Sequence, residues 1–210
     1  MFAIVCRGIY MRLVILCGLV GVGSIASAAT LNFDFGTIIT SSGTPGGPNP
    51  WVSVQLDDVT ADTVRVTISH HATSAAGQYV DYLNLNVASG ITTPTVNLVT
   101  NVNSSFNSLS YGTDSITDAS ANFDLRLDFK NAAANRINPG DVWVGDLVSS
   151  GLSVASFDEL STGGVQVPAM LHYNGFANGG SAKLAPVPEP ATLLGLSAGA
   201  ALLLRRKRKS

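Results

Sequence analysis

Chemically versatile residues are sparse in this 210-residue chain, which carries three histidines, two cysteines and two tryptophans. Asp57, Asp58 and Asp62 flank one short turn, and oxygen-rich turns of this kind can hold calcium. The spacing is not that of an EF-hand loop, and aspartate also favours turns because its carboxylate bonds the nearby backbone. His70 and His71 are adjacent at the end of an alternating segment, so their side chains point to opposite faces and do not easily share one ion. His172 is the third histidine, and a metal site would need all three to converge from distant positions. A nucleophile-elbow pattern occurs once, from Gly195 to Gly199 around Ser197, but inside a charge-free run with no preceding strand. Glu159 is the one glutamate between residues 29 and 186, so no carboxylate pair for glycoside hydrolysis can be read. Trp51 and Trp143 remain as candidates for stacking on a sugar ring, with the core as their alternative place. These residues lead to the expectation of a non-enzymatic protein without a cofactor, with calcium at Asp57, Asp58 and Asp62 as the alternative.

The segments that must position these residues have the period of strands. Residues 122–129 alternate polar and apolar, which puts Phe123, Leu125, Leu127 and Phe129 on one buried face. Residues 62–69 do the same with Val64, Val66 and Ile68. Residues 31–35, 51–56, 79–87, 141–148, 152–157 and 165–173 are further strand candidates, separated by Gly, Asn, Asp, Ser and Pro. Without a convincing helix among them, the expected fold is all-β: a single β-sandwich of jelly-roll-like connectivity. The proline-rich stretch 40–50 is expected as a mobile surface loop or an edge cover. The expected domain spans 29–174, and the Gly- and Pro-containing stretch 175–186 reads as a linker. Between residues 29 and 186 stand five basic residues and thirteen acids, a formal charge of about −8 that disfavours nucleic acid and other phosphate-rich partners.

The two ends read as addresses. Residues 1–28 have the form of a signal peptide: Met11-Arg12, an apolar run, then small residues with Ala26 and Ala28 at the cleavage positions. Met11 also offers a second start. The partners implied are a Sec-type export machinery and signal peptidase. Both cysteines, Cys6 and Cys17, fall inside this segment, and Leu16 before Cys17 does not fit a lipoprotein signal. At the other end, residues 191–204 carry no charge and are followed by Arg205, Arg206, Lys207, Arg208 and Lys209. As a helix, such a run spans about 21 Å against a hydrocarbon core of about 30 Å, and a helix this short can still insert by thinning the bilayer and snorkelling its basic end. The basic cluster is expected to hold that end in the cytoplasm.

Val187, Pro188, Glu189 and Pro190, the apolar run and the basic tail together resemble the PEP-CTERM sorting signal of Gram-negative bacteria, over residues 187–210. The resemblance implies recognition by an exosortase, a membrane-embedded protease that cuts near the Pro-Glu-Pro motif, and makes Pro188, Glu189 and Pro190 substrate residues. Segments such as 51–56, 63–68, 83–87, 151–157 and 179–183 resemble, more loosely, the bodies of other PEP-CTERM proteins. That likeness implies a secreted β-sandwich of unassigned activity associated with exopolysaccharide or biofilm matrix. The expected function is that of an exported cell-surface or matrix protein, structural or adhesive, held briefly in the membrane by its C-terminal helix. A carbohydrate-binding, lectin-like module is the alternative, with extracellular polysaccharide as partner, and an extracellular hydrolase comes last.

Overall fold

The computed structural model describes residues 29–187. They form β1 (Thr30–Ser41), β2 (Val52–Thr60), β3 (Thr63–His70), β4 (Tyr79–Leu85), β5 (Thr95–Thr100), β6 (Phe106–Asp118), β7 (Ala121–Phe129), β8 (Val142–Val148), β9 (Thr162–Gly163), β10 (Ala169–Asn174) and β11 (Ser181–Pro186). The strands join in one antiparallel order, β5-β8-β3-β2-β1-β11-β10-β4-β7-β6, with β9 against β7. The all-β expectation holds.

That continuous ladder folds back on itself. Trp143 on β8 packs its ring against Phe106 of β6 and Phe129 of β7, at 5.8 and 5.2 Å between ring centres, and His70 on β3 meets Tyr173 on β10. One layer is therefore β5-β8-β3-β2 and the other β10-β4-β7-β6, with the core between them. The bend lies in β1. Its first half pairs with β2, from Thr30↔Asp57 to Phe35↔Val52, and its second half pairs with β11, from Phe35↔Pro186 to Ser41↔Ala182. Gly36 sits at this corner because a side chain there would occupy the place of Asn49, whose Nδ2 donates to the Gly36 carbonyl at 2.8 Å. The chain crosses between layers after β3, β4, β5, β7 and β8.

Alternation decides which side chains enter the core. β3 and β7 bury every second residue without a fault, so Val64, Val66 and Ile68 face Leu125, Leu127 and the other apolar groups of the opposite layer. Fully burying such a side chain is worth roughly 1.5–3 kcal/mol. Gly145 on β8 serves the same core by omission, since the Trp143 indole lies where its Cβ would be.

Several boundaries differ from the sequence expectation. Residues 152–157 hold no strand; Val154–Phe157 is a 3-10 turn whose Ser153 and Ser156 side chains cap each other's backbone, and the Asp58 carboxylate accepts from Val154 N at 2.8 Å. The stretch 175–186 is not a linker: only a short connection follows β10, and residues 181–186 are β11, a central strand burying Ala182 and Leu184. β5 and β6 were not expected, because they are edge strands with mostly exposed residues and no alternation to read. The proline-rich stretch is a cover: Gly47 O accepts the Trp51 indole N–H at 3.1 Å, and Ala75 N donates to Gly46 O.

Candidate functional site at the chain exit

The candidate binding residues singled out within 29–187 are placed as follows. Trp51 is 6% and Trp143 0% exposed, so neither offers a sugar-stacking face; both complete the core. Asp57, Asp58 and Asp62 do not converge either. Asp57 accepts from Thr30 Oγ1 and Gln55 Nε2, Asp58 from Val154 N, and Asp62 from Gly151 N. Among the described residues no three His, Cys, Asp or Glu side chains gather at ion-holding distance. The carboxylates of Asp58 and Asp62 instead pin the 149–157 segment to the β2–β3 turn, with Asp62 in the left-handed region at φ 65°.

The histidines separate as their alternation requires. His71 meets Ser53 Oγ at 2.8 Å, while His70 is buried between the Ile137 carbonyl at 3.0 Å and the Tyr173 hydroxyl at 2.7 Å. Burial pushes the His70 imidazole down to about 4, so it is neutral near pH 7. A neutral ring donating from Nδ1 to Ile137 must accept the Tyr173 hydroxyl proton at Nε2. The Gln78 amide completes the chain with its nitrogen toward Tyr173 and Gly46 O, and its oxygen toward Gly46 N. The network ties the proline-rich cover to both layers.

A second polar assembly was missed in the sequence because it is drawn from β4, β6, β7, β10 and β11. On the face of its layer turned away from the core, the Tyr82 ring lies under the Arg126 guanidinium at 4.0 Å and beside Lys183 Nζ at 4.3 Å. Asp118 accepts from Tyr82 Oη at 2.6 Å, Asn84 Nδ2 at 3.2 Å, Arg126 Nη2 at 3.4 Å and Lys183 Nζ at 3.3 Å. Burial raises the Asp118 carboxyl above its ordinary range and lowers the Lys183 amine to about 8, so both charged forms are costly and hold each other. His172 Nδ1 meets Asp81 Oδ2 at 2.8 Å beside this group. The polar atoms are spent on one another, and the assembly clasps the end of β6 to the sheet.

At the end of the sandwich reached by the C-termini of β4 and β11 opens a cleft of about 270 Å³. Asn86, Val87, Ala88 and Ser89 form one wall, Thr113, Asp114 and Asp124 another, and Glu159, Leu160 and Thr162 the third. The Asp124 carboxylate is fixed by Val87 N at 2.9 Å and Asp114 N at 2.7 Å, and Thr162 Oγ1 donates to Asp114 at 2.6 Å. Asn86, 3% exposed, donates from Nδ2 to Val167 O and Pro168 O, each at 3.1 Å.

β11 leaves the fold at this same end. Between β1 and β10 it alternates Ala182 and Leu184 into the core, and it stops at Pro186, which has no N–H to continue the ladder. Val187 N still donates to Asp34 O at 2.7 Å. Residues 186–209 match the PEP-CTERM protein-sorting motif. The PEP-CTERM motif thus begins on the last residue of a central strand, with no spacer between body and signal. It implies an exosortase as processing partner and fits export with a C-terminal sorting signal. Pro188, Glu189, Pro190, the apolar run 191–204 and the basic residues Arg205, Arg206, Lys207, Arg208 and Lys209 lie outside the described residues, as do the signal-peptide residues Ala26 and Ala28. No helix of the described residues is long and apolar enough to cross a membrane. No curated protein and no solved structure matches the chain.

Proposed function

We propose that the chain is an exported protein whose C-terminal segment is processed by an exosortase and whose β-sandwich then serves as a non-enzymatic structural or adhesive body at the cell surface or in the extracellular matrix. The carrying observation is the junction at Pro186, where the sorting motif continues from a strand held on both sides. Proline disfavours helix at itself and at the residue before it, and an extended peptide is the form a protease groove takes. The acidic body suits a soluble surface component. Replacing Pro188, Glu189 and Pro190 by alanine should leave the full-length chain in the membrane fraction of the exporting cell, read by immunoblot. Processing at the normal rate would contradict this reading.

A carbohydrate-binding role is the second reading, and the cleft at the same end of the sandwich supports it. Its walls combine carboxylates, hydroxyls and one amide around a small volume, as sugar recognition requires once the tryptophans are committed to the core.

A further inference from the structure

We propose that Lys183 and Asp118 condense into an intramolecular amide, which joins the last described strand, β11, covalently to the β6–β7 hairpin. Lys183 Nζ lies 3.3 Å from Asp118 Oδ2, one bond away from the carbon it must attack, although the two residues stand 65 positions apart in the chain.

The surroundings of the pair carry it. Both side chains are largely withdrawn from water, Lys183 with 18% and Asp118 with 10% of its side chain exposed. Neither swings freely: Lys183 stands on a strand paired with β1 and β10, and Asp118 ends β6 ahead of the turn Ala119-Ser120, whose two residues are both held at positive φ. Burial lowers the amine to about 8 against the pull of Asp81, and raises the carboxyl against the pull of Arg126, Asn84 and His172. Passing the ammonium proton to the carboxylate turns a costly ion pair into an amine and an acid, the two forms that condense. Tyr82 is the independent observation. Its hydroxyl accepts from Lys183 Nζ and donates to Asp118 Oδ2 at 2.6 Å, so one group touches both the nitrogen that loses a proton and the oxygen that must gain one.

The step balances within the site. The lone pair of Nζ attacks Cγ of Asp118, and the Nζ–Cγ bond forms. Tyr82 Oη takes a proton from Nζ and gives its own to Oδ2, which leaves as water with the proton of the acid; the Cγ–Oδ2 bond breaks and Oδ1 stays as the amide oxygen. Nothing is oxidised or reduced, and no co-reactant is consumed. Arg126 Nη2 and Asn84 Nδ2, at 3.4 and 3.2 Å from the same Oδ2, stabilise the charge that builds on it as the bond breaks. Holding amine and acid side by side replaces the high concentration that condensation between separate molecules would need. The body between residues 29 and 187 has no cysteine, so a disulfide is closed to it and this amide is not. Like a disulfide, the amide would close a long loop and restrict the unfolded chain.

The test is intact-mass spectrometry of the full chain recovered from exporting cells, with tryptic mapping of its ends and of the cross-link. The native protein should be lighter by one water than its sequence between those ends, and digestion should release one branched peptide that holds both Asp118 and an uncut Lys183. Lys183→Arg, which keeps a positive charge beside Asp118, should show the full mass and no branched peptide. Tyr82→Phe keeps the ring beneath Arg126 without the hydroxyl, and should be recovered mainly at the full mass. A native chain of full mass that trypsin cuts normally after Lys183 would overturn the proposal, whatever the variants do. A water loss that persists in Lys183→Arg would overturn it too, because the dehydration then lies elsewhere. Complete cross-linking in Tyr82→Phe would refute the proton relay given to that hydroxyl.

Discussion

His70 shows what a single buried group contributes. The residue lies inside the sandwich with both ring nitrogens engaged, and burial holds its imidazole at about 4, against an ordinary value near 6.5. The folded chain therefore binds a proton less readily than the unfolded one. Its contribution is complete above about pH 6.5 and is lost as pH falls toward 4, to a maximum of about 3 kcal/mol. Urea denaturation at pH 7 and pH 4.5 should show a larger loss of stability in the native chain than in His70→Gln, where the imidazole is gone. Parallel losses in the two proteins would contradict this assignment. Nothing in the sequence distinguished His70 from His71 except parity. Alternation said that they face opposite ways, and the burial of Ile68 two residues earlier says which of them faces in. Trp51 and Trp143 carried the opposite lesson, because a strand aromatic reads alike whether it packs inward or lies on a surface.

At the scale of elements, β11 matters most and was hidden. Its sequence, SAKLAP, follows a glycine-rich turn and precedes a proline-rich signal, so composition made it look like a tether. What it does is pair with β1 on one side and β10 on the other while burying Ala182 and Leu184. A chain that stops after Gly180 should lose protease resistance and its β-sheet circular dichroism, whereas one that stops after Val187 should keep both. Survival of the shorter chain would mean that β11 is dispensable. The strongly alternating strands, β3 and β7 above all, were legible because each has one wet and one dry face. β5 and β6 were not, since an edge strand is exposed on too many sides to alternate. Both edges carry register shifts, between Leu98 and Thr100 and between Tyr111 and Ile116, which discourage edge-to-edge pairing with another molecule. The cleft was illegible for a related reason: its walls come from four separated stretches, and only the fold brings Asn86, Asp114, Asp124 and Glu159 together.

For the whole molecule, one shared strand sets the behaviour. β1 pairs with β2 through Thr30–Phe35 and with β11 through Phe35–Ser41, so one strand is held by both layers and couples them. Thermal unfolding followed by tryptophan fluorescence, which reads Trp51 and Trp143, should coincide with unfolding followed by far-ultraviolet circular dichroism in one transition. Two separated transitions would mean that the layers melt independently. The same strand also imposes an order in time. Among the described residues β1 is the first strand and β11 the last, and they are neighbours. During passage across a membrane from the N-terminus, the second half of β1 waits without its partner until nearly the whole body has emerged. Under export in that direction the sheet can close only once β11 has emerged, immediately ahead of the residues that match the sorting motif. β11 and the sorting motif are contiguous in the chain, so a chain interrupted before β11 would lack both.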